Sequence, residues 1–492
     1  MGWLNRRILA VALVGAAAAL APSEAKAQSS APMPRRLLAG GISGQGEYGP
    51  WQTVTNNAVT VWLTRVASPA SIAAQREPSG VGTFFILALE VPATNELELF
   101  SLHVPAVPSG STRPLLTCFH VAGASHLDIW FNTSYFREAI RRDWFCVAPL
   151  QRNLAPGTDA QISYASAQSQ LHVEAVIDFV TQSFAVDLER LYGVGFSMGG
   201  GNALSYAARH RDPSRGAFAA VVNHTGTVAL GNVYGNVPTA IRDQLDVIFS
   251  GTPTTAPFGY QRSSLIELDP NGGLLAGGRH MATNLRHVPV RSYFNPIDPL
   301  GYLVRQTQQL DVFFDSLPPS IHDLQPRLSG CHCWATIDDF EVCEWLDQWS
   351  LTSPSSGSLL CDRSGRWEQF EVALDCADCF GAFDYTLEEQ SNRVLVLRTE
   401  GIESVEIDLV EAGFATSAPK LFVETSSIDG TDTRLVFRGL SAPPARVFRN
   451  TGELTTPCVP GPGAASWCWD AATLTLEIVE PAGAGGDWEL LL

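Results

Sequence analysis

The sequence predicts an α/β fold, a mostly parallel sheet with helices on both faces, followed by an all-β, sandwich-like module. Three observations predict it. Between residues 81 and 352, short apolar runs alternate with amphipathic helical patterns, the signature of a parallel sheet covered on both sides. Beyond "TSPSSGS", Thr352 to Ser358, the apolar period changes to two, as strands with one buried face require. Midway through the first region, "GVGFSMGGGNALSYA" joins an apolar strand to an Ala-rich helix through a cluster of glycines.

The elements follow in order. "MGWLNRR" and "ILAVALVGAAAALA" form a basic start and a short apolar core, and Ala25-Lys26-Ala27 fits a cleavage site, so residues 1–27 read as a signal peptide. No Cys follows the site, and no later stretch is long and apolar enough for a span. The expected mature chain is exported, periplasmic or extracellular, with no stable membrane anchor. Residues 28–80 form an N-terminal extension with one strand-like run, "AVTVWLTRV". "TFFILALEV" and "ELELFSLHVP" read as two strands joined by a turn. Then come the strand "PLLTCFH", the helix "YFREAIRR", the strand "WFCVAPL", and a helix carrying Val173, Val176, Ile177 and Val180 at helical spacing. "RLYGVGF", "AFAAVVNH" and "VPVRSYFN" are further strands, and "VCEWLDQWSL" reads as a closing helix. Residues 226–287 form an insertion long enough to serve as a lid. In the β module, residues 358–492, runs such as "VEIDLV" and "RLVFRG" alternate apolar and polar residues.

Composition narrows the function. A formal net charge of -18 argues against nucleic acid as a partner. Lys occurs only at Lys26 and Lys420, so no Gly-Lys phosphate loop exists. Of ten Cys, Cys118 and Cys146 lie in apolar strands and read as buried thiols. The other eight all follow residue 330 and suggest a disulfide framework in an exported chain, with Cys458 and Cys468 bracketing a Pro/Gly-rich loop as the best pair. "CADC" and "CHC" lack the second Cys-x-x-Cys of a zinc site, so no metal is expected.

The glycine-rich turn admits three readings. A dinucleotide loop needs Gly at 198, where Met198 stands, and an acid ending the next strand, where Asn223 and His224 stand. Glycines placed only for close packing remain an alternative. The third reading is Gly-x-Ser-x-Gly between strand and helix, which presents Ser197 on a strained turn above the sheet. A serine needs a base, itself oriented by an acid. Asp298, just after "VPVRSYFN", fits the acid; Asp311 and Asp315 fall on a helix face. His332, before the last helix, fits the base, with His322 as competitor. Cys331 and Cys333 flank His332 and are expected to fix its loop through disulfides. Oxyanion donors are expected from the N–H of Met198 and of Val121 or Ala122. His224, His126, Trp130 and Trp334 are candidates to line the substrate pocket, and Trp467 and Trp469 to stack on a glycan. For each of these the alternative is packing.

On these residues the chain resembles the α/β-hydrolase superfamily, and more closely the secreted esterases of the polyhydroxybutyrate-depolymerase and feruloyl-esterase type. "VDLERLYGVGFSMGGGNALSYAARH", the Asp298 loop and His332-Cys333-Trp334 carry the resemblance, over roughly residues 81–352. Val121 and Ala122 stand where such proteins usually carry glycines. The resemblance implies acyl transfer through a serine, no cofactor, and an ester substrate, polymeric or small. A prolyl-oligopeptidase-type peptidase and a binding protein on a hydrolase scaffold are the competing readings.

Overall fold

The computed structural model describes residues 83–105, 110–328, 331–415, 418–429, 431–455, 464–482 and 485–492, and the strand backbone alone within residues 45–65. The expected signal peptide and Cys458 lie outside the described residues. The chain divides into two compact units, one of Met1–Ala208 and Ser214–Leu351, the other of Arg209–Pro213 and Thr352–Leu492.

The first unit is built on a ten-stranded sheet. In chain order its strands are β1 (Gln52–Asn56), β2 (Val59–Arg65), β3 (Thr83–Val91), β4 (Glu96–Val104), β5 (Arg113–Phe119), β6 (Phe145–Pro149), β7 (Val186–Phe196), β8 (Ala220–His224), β9 (Val290–Phe294) and β10 (His322–Pro326). Across the sheet the order is β10-β9-β8-β7-β5-β6-β4-β3-β2-β1. The six strands from β10 to β6 are parallel, and β4 to β1 continue the sheet antiparallel. The parallel strands are buried on both faces, which is why they read as unbroken apolar runs: all five residues of β6 and of β8 are buried. Residues 52–65, placed in an extension by the sequence, add two edge strands to this sheet.

The chain runs from β5 outward to β6 and then back to β7 on the other side of β5. The loops after β5 and β7 therefore leave in opposite directions, opening a crevice at the carboxyl ends of these strands. Helix α1 (Asp128–Asn132), α2 (Tyr135–Arg141), α3 (Ala167–Ser183) and α4 (Met198–Arg209) connect these strands. Ser166 caps α3, accepting from Ser169 N. The segment predicted as a lid holds α5 (Leu230–Asn236), α6 (Thr239–Ile248), α7 (Pro257–Arg262) and a 3-10 turn, Met281–Leu285. The apolar sides of α5, α6 and α7 form one cluster with Ile162, Tyr164, Met198 and Leu303, with Ala122 and Tyr302 packed at its edge. Helix α8 (Gly301–Asp315) follows β9, and α9 (Asp339–Leu346) is the last. This last helix starts earlier than its apolar pattern suggests, because Asp338 caps it by accepting from Phe340 N, and it stops before Gln348.

The second unit holds a seven-stranded and a six-stranded sheet. Alternate residues are buried along Gly381–Glu388 and Thr475–Glu480. Phe370 of the smaller sheet meets Phe383 and Tyr385 of the larger one edge-on. Trp467 and Trp469 stand directly across from Ile478 and Leu476, both fully buried, so they share the inner face of their sheet. Both are half-buried, and Trp467 Nε1 donates to Leu454 O, so they are held within the module rather than standing as a free platform. Among the described residues no helix is long and apolar enough to cross a membrane.

The expectation that all eight later cysteines form disulfides needs correction. Cys331 is bonded to Cys333 and Cys376 to Cys379, while Cys343 and Cys361 are free thiols. The latter two are fully buried, and burial pushes both thiols up in pKa, so they behave as small apolar residues. Cys118 and Cys146 are likewise free and buried. Cys468 is disulfide-bonded.

Candidate active site at the end of β7

Ser197 lies between the last residue of β7 and the first of α4. Its φ is +56°, a left-handed conformation that costs a non-glycine residue about 1–3 kcal/mol and persists only where its surroundings enforce it. They do so here on both sides. Ser197 N donates to His224 O at 2.9 Å, and Ser197 O accepts from Thr227 N at 3.2 Å. The turn is also too tight for side chains. A Cβ on Gly195 would sit 2.1 Å from Gly199 O, and a Cβ on Gly199 would sit 2.1 Å from Phe119 O. Gly199 thus lets the first turn of α4 press against the end of β5, where the His120–Ala122 loop begins.

A first prediction arises here. Gly199→Ala should cost about 3 kcal/mol or more, since overpacking against backbone cannot relax by a rotamer change. Gly231→Ala in α5, where nothing lies within 4 Å of the new methyl, should be neutral or slightly stabilising. Urea denaturation of both variants checks this; equal midpoints would contradict the close approach.

Three predicted residues meet at this turn. His332 Nε2 lies 2.9 Å from Ser197 Oγ, and His332 Nδ1 lies 2.8 Å from Asp298 Oδ2. Asp298 Oδ1 accepts from Leu300 N at 2.8 Å, and the carboxylate side chain is 2 % exposed. The competitor His322 starts β10, at the amino end of the sheet, with Nδ1 2.8 Å from Asp311 and Nε2 3.1 Å from Ser292 Oγ. It is on the wrong side of the sheet to reach Ser197.

Met198 N begins α4 and so has no acceptor within the helix. Val121 and Ala122 follow β5 as a half-buried loop. Val121 packs against the cluster around Trp334, and Ala122 against the helices of residues 226–287.

The four pocket candidates do not line an open cleft. His224 is 1 % exposed and stacks on Phe196 at 4.4 Å between ring centroids. His126 is turned back to β4, its Nδ1 2.8 Å from Ser101 Oγ. Trp130 stacks on Phe136 at 3.9 Å, inside the core. Trp334 is buried, and its Nε1 donates to Asp128 Oδ2 at 2.9 Å. Their apolar surfaces were worth more in the core than at the crevice; Phe196, sandwiched between His224 and His332, is the ring beside the base.

The sequence did not single out the polar chain behind Met198. Asn202 Nδ2 donates to Gln151 Oε1 at 2.6 Å and to Ser163 Oγ at 2.9 Å, and Ser163 N donates to Met198 Sδ at 3.3 Å. Gln151 N in turn donates to the fully buried Glu98 at 2.6 Å. The one available signal was Asn202 itself, polar within the small and apolar face of α4.

Burial sets the ionisation of several neighbours. It lowers His224 to about 3, with the charge of His332 adding to the effect. It raises Tyr302 to about 12, with the Asp298 carboxylate adding to it. Among the described residues, one group brings metal-ligand atoms together, Asp375 with Cys376 and Cys379 in the second unit, and its two sulfurs are already joined.

A six-stranded parallel core with an antiparallel edge, and a serine on a strained turn after the strand beside the switch point, together define the α/β-hydrolase fold. No family profile matches the chain. Among curated proteins it is similar to one from Nocardia uniformis subsp. tsuyamanensis named "Putative esterase NocK", at 27% identity over 38% of this chain. The similar region spans 60% of that protein's length. Solved structures similar to it include an S-formylglutathione hydrolase from Agrobacterium tumefaciens, at 13% identity and a TM-score of 0.38, covering 55% of this chain and 97% of that one. Another is FphF, a fluorophosphonate-binding serine hydrolase of Staphylococcus aureus, at 15% identity and a TM-score of 0.41, covering 54% and 99%. At such values these structures add no argument beyond the topology itself.

Proposed function

We propose that this chain is a serine hydrolase that cleaves carboxylic esters through an acyl-enzyme. The carrying observation is the unbroken relay from Asp298 Oδ2 to His332 to Ser197 Oγ, at 2.8 and 2.9 Å. Similarity to a protein named as an esterase supports the ester over the amide.

In this reading Asp298 accepts the Nδ1–H of His332, leaving the Nε2 lone pair for the serine proton. Ser197 Oγ attacks the ester carbonyl as that proton moves to Nε2. The carbonyl oxygen becomes an oxyanion, held by Met198 N–H and by Val121 or Ala122 N–H. The tetrahedral intermediate collapses, and His332 delivers its proton to the leaving alcohol. Water then attacks the acyl group by the same route in reverse. The positive end of α4 favours the developing charge. Residues 226–287 act as a cap whose apolar cluster reaches Met198 and so borders the acyl group. The chain is proposed to act after export, on small or polymeric esters, with the two-sheet unit as a sandwich-like accessory module.

Labelling with a fluorophosphonate tests the nucleophile. Wild type should be labelled on Ser197 and Ser197→Ala should not; label that persists in the variant, or none in wild type, would sink the proposal.

A further inference from the structure

We propose that the Cys331–Cys333 disulfide is a positioning element for His332, and that its reduction disables the site. The inference rests on the reading of His332 as the general base. The two sulfurs are bonded across the single residue between them. On the carboxyl side the backbone is well held. Thr336 Oγ1 donates to Cys333 O at 2.9 Å, and Trp334 is buried with its Nε1 on Asp128 at 2.9 Å. On the amino side Cys331 is exposed, with Asn295 Nδ2 donating to its carbonyl at 3.4 Å. The disulfide ties this exposed residue to the anchored Cys333, directly across His332. A base on a loop needs such support, because a misplacement of about 1 Å costs about a hundredfold in rate.

The same exposure makes the bond reachable. Cys331 is exposed and Cys333 half-buried, whereas the free thiols of Cys118, Cys146, Cys343 and Cys361 are all buried. Burial also raises the thiols of Cys118, Cys343 and Cys361, so no internal thiolate stands ready to exchange with the bridge. An external dithiol is the reductant. Its thiolate attacks one sulfur, the bond between Cys331 and Cys333 breaks, and the reductant leaves as its own disulfide. The two protons end on the Cys331 and Cys333 thiols. Reoxidation by a thiol oxidant reverses the change. Cys376–Cys379, in the second unit, encloses no site residue and provides the control.

The experiment compares oxidised and dithiol-treated protein, with differential alkylation and mass spectrometry to show which cysteines opened. A p-nitrophenyl ester reports kcat and KM, and fluorophosphonate labelling reports the reactivity of Ser197. Opening Cys331–Cys333 should lower kcat about 10- to 100-fold with KM little changed, and slow labelling in parallel. Reoxidation should restore both. The Cys376→Ser/Cys379→Ser variant should respond to reductant like wild type. The Cys331→Ser/Cys333→Ser variant should be slow and insensitive to reductant, with a thermal midpoint close to that of the oxidised protein. Undiminished kcat in protein whose Cys331 and Cys333 are shown alkylated overturns the positioning role, while leaving the labelling of Ser197 to decide the hydrolase reading separately.

Discussion

Asp298→Asn lowers kcat by about 10⁴-fold, with KM nearly unchanged. The size of the effect follows from where the two carboxylate oxygens are held. Oδ1 already accepts the N–H of Leu300 at 2.8 Å, and Oδ2 faces His332 Nδ1 at 2.8 Å. An asparagine in this place must keep its carbonyl oxygen at the Oδ1 position, because the Leu300 N–H is a donor. Its amide NH2 then falls on the Oδ2 position and donates to His332 Nδ1. The imidazole is forced into the tautomer with its proton on Nε2, pointing at Ser197 Oγ, and can no longer take the serine proton. The fold should survive, since the substitution is isosteric and Asp298 loses no contact but the charge. Stopped-time assays with a chromogenic ester measure the drop, and fluorophosphonate labelling should slow with it. A kcat within tenfold of wild type, at an unchanged thermal midpoint, would remove Asp298 from the relay.

The features legible in the sequence are those set by local sterics. A strained turn needs small residues two positions either side of its centre, so Gly195 and Gly199 marked Ser197 once the pattern was seen to lie between a strand and a helix. Alternation of apolar strands and amphipathic helices gave the first unit's sheet, since each parallel strand must be buried on both faces. Asp298 was visible as an acid just after a strand, and His332 was preferred to His322 because it directly precedes the last helix. The fold separates them, because His322 begins its strand and so lies at the sheet's amino end. What was not legible depends on packing across long separations. Nothing near His224, His126, Trp130 or Trp334 in sequence says that each is turned into the core. The polar chain from Glu98 through Gln151 and Asn202 to Ser163 joins three separate segments. Beyond Cys458 with Cys468 the Cys residues could be counted but not paired, and Cys343, inside a helix, and Cys361, ending a strand, are both buried as free thiols.

Acid should destabilise this protein before its exposed carboxylates matter. Three buried histidines set the effect. Burial lowers His103 to about 4 and His126 and His224 to about 3, with the charges of His120 and His332 adding to the last two. In the unfolded chain each titrates near 6.5. Between these values the unfolded state binds a proton that the native state refuses, so stability is fully present above pH 6.5 and falls as pH drops through the window to about 3. From pH 7 to pH 5 each ring should withdraw about 2 kcal/mol. Asp339 works the other way. Its carboxyl is raised to about 6, chiefly by burial, so the native state holds its proton more tightly and gains stability as pH falls from about 6 toward 4. That gain is roughly 1 kcal/mol by pH 5, against three rings losing together. The net loss of about 4–5 kcal/mol is a large part of an ordinary domain's stability, about 5–15 kcal/mol. His126→Asn separates the effect from general acid damage. Asn places a polar atom where Nδ1 meets Ser101 Oγ, keeping that contact while removing one titrating group. Its urea midpoint at pH 5 should therefore lie closer to its own pH 7 value than wild type's does, by about 2 kcal/mol in unfolding free energy. A wild-type midpoint that stays flat between pH 7 and pH 5 would mean that these imidazoles are solvated in the native state, and that the crevice beside Ser197 admits water far more deeply than the packing around Phe196 allows.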